Sequence, residues 1–176
     1  EHNLQSLRTV DLLEERYGAF DGLNLTYETR EGILKHCAPK RAHELGDLGR
    51  RFIDGTQPSL EAQLCNLADE IGYNNHDVDD GLRSGLIALE QLEEAGIWAR
   101  HVAIVRKDYP QIAGRRLIHE TVRRMINSLA VDLIEETGRN IARTGVGTLN
   151  EVPKAGPLPA FSVAMHAEHK QLKHFL

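Results

Sequence analysis

Six side chains able to bind a cation or exchange a proton crowd into one short stretch: Asp69, Glu70, His76, Asp77, Asp79 and Asp80. Asp69, Tyr73 and Asp77 stand at i, i+4 and i+8, a spacing that puts them on one face of a helix of about 3.6 residues per turn. In order along that face come a hard oxygen ligand, an aromatic ring and a second carboxylate. The first suits a divalent ion, the second a flat partner, and the third accepts from a hydroxyl. Leu64, Leu67, Ala68 and Ile71 are expected to face a core, which would set Asp69 at the edge of the apolar stripe. An unpaired carboxylate there is costly to desolvate, so it calls for a metal ion, a metal carried by a substrate, or an arginine. Acidic helix ends are ordinarily solvated faces laced with ion pairs. The regular spacing is what favours a site.

The elements that must hold this stretch read as helices. Leu4, Leu7, Val10 and Leu13 form a helical stripe, which predicts a first helix from about Glu1 to Arg16. A chain that opens inside a stripe, with no N-cap before it, is expected to be part of a longer protein. Asp21-Gly22 marks a turn. Thr26 is the expected N-cap of a second helix, with Thr29 at N3 and Lys35-His36 at its end. Residues 40–57 are expected to be polar and mobile. Pro58 opens the helix that carries the acidic stretch, Gly81 breaks or kinks it, and Leu82, Leu86, Leu89 and Leu92 resume a stripe closed by Gly96. A short helix is expected from Trp98 to Lys107, a long one from Ile112 to Thr137 ended by Gly138, and a last one from Ala160 to Phe175. The stretch 144–159 is an extended Gly/Pro-rich loop. No sustained period-two alternation appears, so the chain is all-α.

At 176 residues the chain is the size of one ordinary domain. Its net charge of −5 provides no basic field of the kind that draws a protein to nucleic acid. Neither a membrane-spanning run nor a secretory leader is expected. Cys37 and Cys65 are isolated, as in a cytoplasmic protein with reduced thiols. His166, His169 and His174, spaced i, i+3 and i+8 on the last helix, suggest either a metal site or, as the better reading, a solvated face.

Several phrases occur together and in order: Glu-His-Asn-x-Gln-Ser-Leu-Arg, Leu-Lys-His, Gln-Pro-Ser-Leu-Glu-Ala-Gln, Ala-Asp-Glu-Ile-x-Tyr-Asn-Asn-His-Asp-x-Asp-Asp-Gly-Leu-Arg, and Ala-Gly-Arg-Arg-Leu-Ile-His-Glu. With these the chain resembles the bacterial deoxyguanosine triphosphate triphosphohydrolase-like proteins of the HD-domain superfamily, over essentially its whole length. The resemblance implies an HD-domain-type helical bundle lacking its N-terminal part. It divides the chain into the C-terminal part of the catalytic helical domain (1–143), a Gly/Pro-rich loop (144–159) and a C-terminal helix (160–176).

The resemblance also implies an activity: hydrolysis of a deoxynucleoside triphosphate to deoxynucleoside and inorganic triphosphate. The family's divalent metal (magnesium, manganese or similar) would take Asp69 as one ligand, its other ligands lying upstream of Glu1. Such a metal lowers the pKa of a bound water and polarises the α-phosphate. His2 matches an active-site histidine near the phosphates, Lys35 a lysine on the triphosphate, Tyr73 a tyrosine packed on sugar and base, and Asp77 an acceptor for the 3′-hydroxyl. Arg115 and Arg116 resemble basic residues near the substrate or near a site for a nucleotide effector. A homo-oligomer is implied, and this stretch alone is expected to be inactive. The rival readings are a nucleotide-binding regulatory module without turnover, and an HD phosphohydrolase with another nucleotide substrate.

Overall fold

A computed structural model describes residues 2–35 and 37–176, with Pro39 described by its backbone alone. Glu1, expected to open the first helix, and His36, expected at a helix end, lie outside the described residues. The fold is all-α, and no strand occurs among the described residues. Also among the described residues, no helix is long and apolar enough to cross a membrane. The chain forms two compact units, one comprising the chain up to Cys65 with Thr144–Leu158, the other Asn66–Arg143 with Pro159–Leu176.

In the first unit, α1 (His2–Arg8) runs into a wider π-turn over Thr9–Leu13 and stops there, short of the expected Arg16. Gly22 explains the tight return that follows. Its φ is +69°, Leu23 N–H donates to the Val10 carbonyl at 2.7 Å, and a Cβ on Gly22 would lie 2.2 Å from the Asp11 carbonyl oxygen. Helix α2 (Tyr27–Ile33) starts as predicted, the Thr26 hydroxyl accepting from Thr29 N–H. Arg30 ties α2 back to Asp11 through two hydrogen bonds of 2.8 and 2.7 Å.

Residues 40–57 are helical for most of their length, a correction to the expected mobile stretch. They form α3 (Pro39–Ala42), a 3₁₀ segment (His43–Gly49) and α4 (Arg50–Asp54). Leu45, Leu48 and Phe52 recur at helical spacing and pack with Leu7 and Leu34 in this unit's core. Gly49 is required in the fold because a Cβ there would meet the Ala42 carbonyl oxygen at 1.8 Å. The 144–158 stretch is pinned to this unit: Gln63 Oε1 accepts from Leu158 N–H and Pro153 O accepts from Gln57 N–H.

Helix α5 (Leu60–Ser84) begins in the first unit and carries the acidic stretch into the second. It passes through Gly81 without a break, ending at Gly85 with φ +75°. Gly81 is a packing glycine: a Cβ would stand 2.5 Å from Ile87 Cδ1. The expected leucine stripe is therefore interrupted, and Leu86 is 84% exposed between α5 and α6 (Leu89–Leu92). Gly96 does not close a helix but opens α7 (Gly96–Asp108). Helix α8 (Gly114–Thr144) runs on through Gly138, where no neighbour lies within 4 Å, and ends at Gly145 with φ +71°. The last helix, α9 (Val163–Phe175), starts three residues later than expected. Its N-cap Ser162 is held by Asp132, which accepts from Ser162 N–H at 2.8 Å and from its hydroxyl at 2.7 Å. Trp98, Val78, Leu92, Met125, Leu129 and Leu172 form the centre of this unit's core.

Two histidines are buried in that core region. His101 Nδ1–H donates to the Ile97 carbonyl at 2.7 Å, and the Ser128 hydroxyl donates to Nε2 at 2.9 Å. His166 and His174 are exposed as expected for the last helix, but His169 is buried, a correction to the solvated face at that position. Burial pushes both imidazoles below their ordinary value of 6.5. The unfolded chain therefore takes up protons first as pH falls through that value, so stability is full above it and declines below it, by at most about 1.4 kcal/mol per pH unit for each histidine. Thermal midpoints measured from pH 7 to pH 5 are expected to fall, and the fall is expected to flatten when both positions carry glutamine. An unchanged slope in the His101→Gln, His169→Gln double variant would show that these groups do not set it.

Candidate functional site

Asp69, Tyr73 and Asp77 lie on the single uninterrupted helix α5, as their spacing predicts. All three are exposed, Tyr73 to 66%. The inward side of the same turns carries Ile71, Asn74, Asn75 and Val78, all buried. Eight residues of helix carry Asp77 about 12 Å along the axis from Asp69 and about 80° around it, so the three side chains share one side of the helix. The expected packing around Asp69 is corrected: Leu64 and Ala68 are exposed, so Asp69 stands on open surface and not at the rim of a core. A shallow concavity of about 860 Å³ borders the end of this face, walled by Asp77, Asp80, Gly81, Ile87 and Phe175. Asp77 borders it; Asp69 and Tyr73 are not among its lining residues.

Arg115 and Arg116 occupy the exposed first turn of α8, in the same unit. One turn on, His119 Nδ1 lies 3.8 Å from Asp79 Oδ1, so the start of α8 runs beside the later half of α5. Cations in a first helical turn oppose the helix dipole, which leaves this pair suited to an anionic partner.

His2 and Lys35 belong to the other unit, His2 exposed in α1 and Lys35 just past α2. Lys35 has φ +31°, the left-handed position that usually falls to glycine after a helix end. Arg51 supports it: its Nη2 donates to the Lys35 carbonyl at 3.4 Å and to the Glu31 carbonyl at 3.5 Å. The guanidinium lies over the Phe52 ring at 3.8 Å and its Nε is 3.6 Å from Glu31 Oε1. Burial pushes the Glu31 carboxyl up and the Arg51 guanidinium down, and each charge opposes the other's shift. A pocket of about 870 Å³ is bordered by Lys35, Tyr27, Glu31, Arg50, Arg51 and Cys65.

A divalent ion needs several oxygen or nitrogen donors around one point. Among the described residues no three His, Cys, Asp or Glu side chains come together to hold one. The described donors do not by themselves make a metal centre. Sequence reasoning also missed Asn74 and His169, a buried amide and imidazole 2.9 Å apart. Their signal lay in register: Asn74 follows Tyr73 by one position, on the inward side of α5.

An all-helical chain with a carboxylate–phenol–carboxylate face is a general description, and relatives make it particular. No family model matches the chain. All 176 residues align at 65% identity with the deoxyguanosinetriphosphate triphosphohydrolase-like protein of Thiobacillus denitrificans, covering 47% of that protein. Proteins of the same name from Ralstonia pickettii and Bordetella pertussis are 62% and 61% identical over the whole chain, which covers 45% and 46% of them. The chain is thus related along its entire length to the deoxyguanosinetriphosphate triphosphohydrolase-like proteins, and it spans about half the length of the curated relatives it matches.

Gly72 sits inside α5 directly before Tyr73, with open space where a Cβ would go. Alanine there should raise unfolding free energy by about 0.5–1 kcal/mol, the helix-interior difference between the two residues. Chemical denaturation of Gly72→Ala measures it. A loss of stability would mean that the backbone of α5 is not the regular helix described.

Proposed function

We propose that this chain is the nucleoside-reading part of a metal-dependent triphosphohydrolase that converts a dGTP-like deoxynucleoside triphosphate to deoxynucleoside and inorganic triphosphate. The observation that carries this reading is the Asp69–Tyr73–Asp77 face on one continuous helix, in a chain whose relatives bear the triphosphohydrolase-like name. Asp69 gives one carboxylate to a divalent ion whose remaining ligands belong to the rest of the protein. Tyr73 packs on the sugar and base. Asp77 accepts from the 3′-hydroxyl, and its charge makes that bond stronger than one to a neutral acceptor.

His2 exchanges a proton near the phosphates. Lys35 offsets the charge of the triphosphate leaving group, and Arg115 and Arg116 do the same there or bind a nucleotide effector. The protein acts in the cytoplasm as a homo-oligomer.

Steady-state hydrolysis of dGTP and its 3′-deoxy analogue by the full-length protein tests the role of Asp77. Asp77→Ala should lower kcat/KM for dGTP by about tenfold to a hundredfold, corresponding to the roughly 1.5–3 kcal/mol of a hydrogen bond to a charged group. Asp77→Asn should lose less, because the amide oxygen still accepts. The 3′-deoxy analogue should be a poor substrate of the unmodified protein and lose little more in Asp77→Ala. Asp69→Ala should abolish turnover. Equal losses on both substrates would remove Asp77 from sugar reading, and full turnover by Asp69→Ala would remove Asp69 from the metal.

A further inference from the structure

Glu70 and Asn74 form the line on α5 next to Asp69 and Tyr73, each one position further along and so about 100° further round the helix. Helix α9 meets that line at two points. Lys173 Nζ lies 3.4 Å from Glu70 Oε2, and Asn74 Nδ2 donates to His169 Nε2 at 2.9 Å. The contacts are four residues apart on both helices and run in opposite directions, so they form two rungs between antiparallel helices. The second rung is dry, with Asn74 6% and His169 4% exposed. An amide nitrogen only donates, so the ring nitrogen facing it must be the acceptor, which makes His169 neutral with its proton on Nδ1. The Phe161 ring packs against the imidazole at 5.0 Å and 43°. Glu70, Lys173 and His166 are the charged or titratable groups around it.

A buried polar pair adds little stability over an apolar pair of the same shape, but it is directional. Apolar contacts let one helix turn or slide against another. A 2.9 Å hydrogen bond between two buried planar groups does not. We propose that Asn74 and His169 are positioning residues that fix the rotation of α5 about its axis, and with it the direction in which Asp69 and Tyr73 project. This rests on the reading of Tyr73 as a nucleoside contact.

The test uses the full-length protein, with kcat/KM for dGTP and thermal midpoints measured on the same preparations. His169→Leu should lower kcat/KM by about tenfold, and His169→Gln, whose Oε1 can accept from Asn74, should restore it to within about threefold of the unmodified protein. In a Tyr73→Ala background the His169→Leu penalty should shrink to about twofold or less, because the group being aimed is gone. The Asn74→Leu, His169→Leu double variant removes both polar partners at once. It should regain the thermal midpoint lost in His169→Leu while kcat/KM stays low, which separates aim from fold. Penalties that simply multiply in the Tyr73→Ala background would overturn the inference. So would a double variant with both midpoint and kcat/KM restored. If Tyr73→Ala alone leaves kcat/KM unchanged, the nucleoside assignment is what has failed, and the positioning role falls with it.

Discussion

The rise and turn of one α-helix set what this chain can do. With α5 unbroken from Leu60 to Ser84, the separations between Asp69, Tyr73 and Asp77 are fixed by backbone geometry and not by loops. A carboxylate, a ring and a second carboxylate one turn apart can meet an elongated ligand at successive points. A break at Gly81 would leave those three in register, but it would free the end of the wall that borders the concavity at Asp77 and Asp80. Ile87 packs on Gly81, so the residue that looks like a hinge is a point of close packing.

Much of that was legible in the sequence. The helical class, the Thr26 cap and the shared face of Asp69, Tyr73 and Asp77 follow from spacing alone, because local periodicity and capping depend on residues within a turn or two of one another. What was not legible depends on partners distant in sequence. Gly81, Gly96 and Gly138 all read as punctuation, yet one is a packing contact, one begins a helix and one is tolerated in the middle of α8. The polar stretch after Pro39 becomes helical because Leu45, Leu48 and Phe52 find Leu7 and Leu34. His169 looked solvated among lysines and histidines, and only the fold brings Asn74 to it across 95 residues of chain.

The same contrast divides the charged residues. Glu31 is buried and Arg51 half-buried beside it in the first unit, where Arg51 braces the backbone at Lys35. The carboxylates of the α5 face stand in the open instead, and Arg115 and Arg116 start α8 against its dipole. Asp69, Asp77, Arg115 and Arg116 are all exposed. A site made only by these residues would be incomplete, in keeping with a chain that spans about half the length of its relatives.

The most direct measurement is a crystal structure of the full-length protein bound to a dGTP analogue thio-substituted at the α-phosphate, which resists hydrolysis. The expected result is a deoxyribose packed against the Tyr73 ring, with its 3′-hydroxyl within hydrogen-bond distance of the Asp77 carboxylate and the phosphates toward Asp69. A nucleoside bound elsewhere, with Tyr73 and Asp77 left in solvent, would contradict the assignment of this helix face.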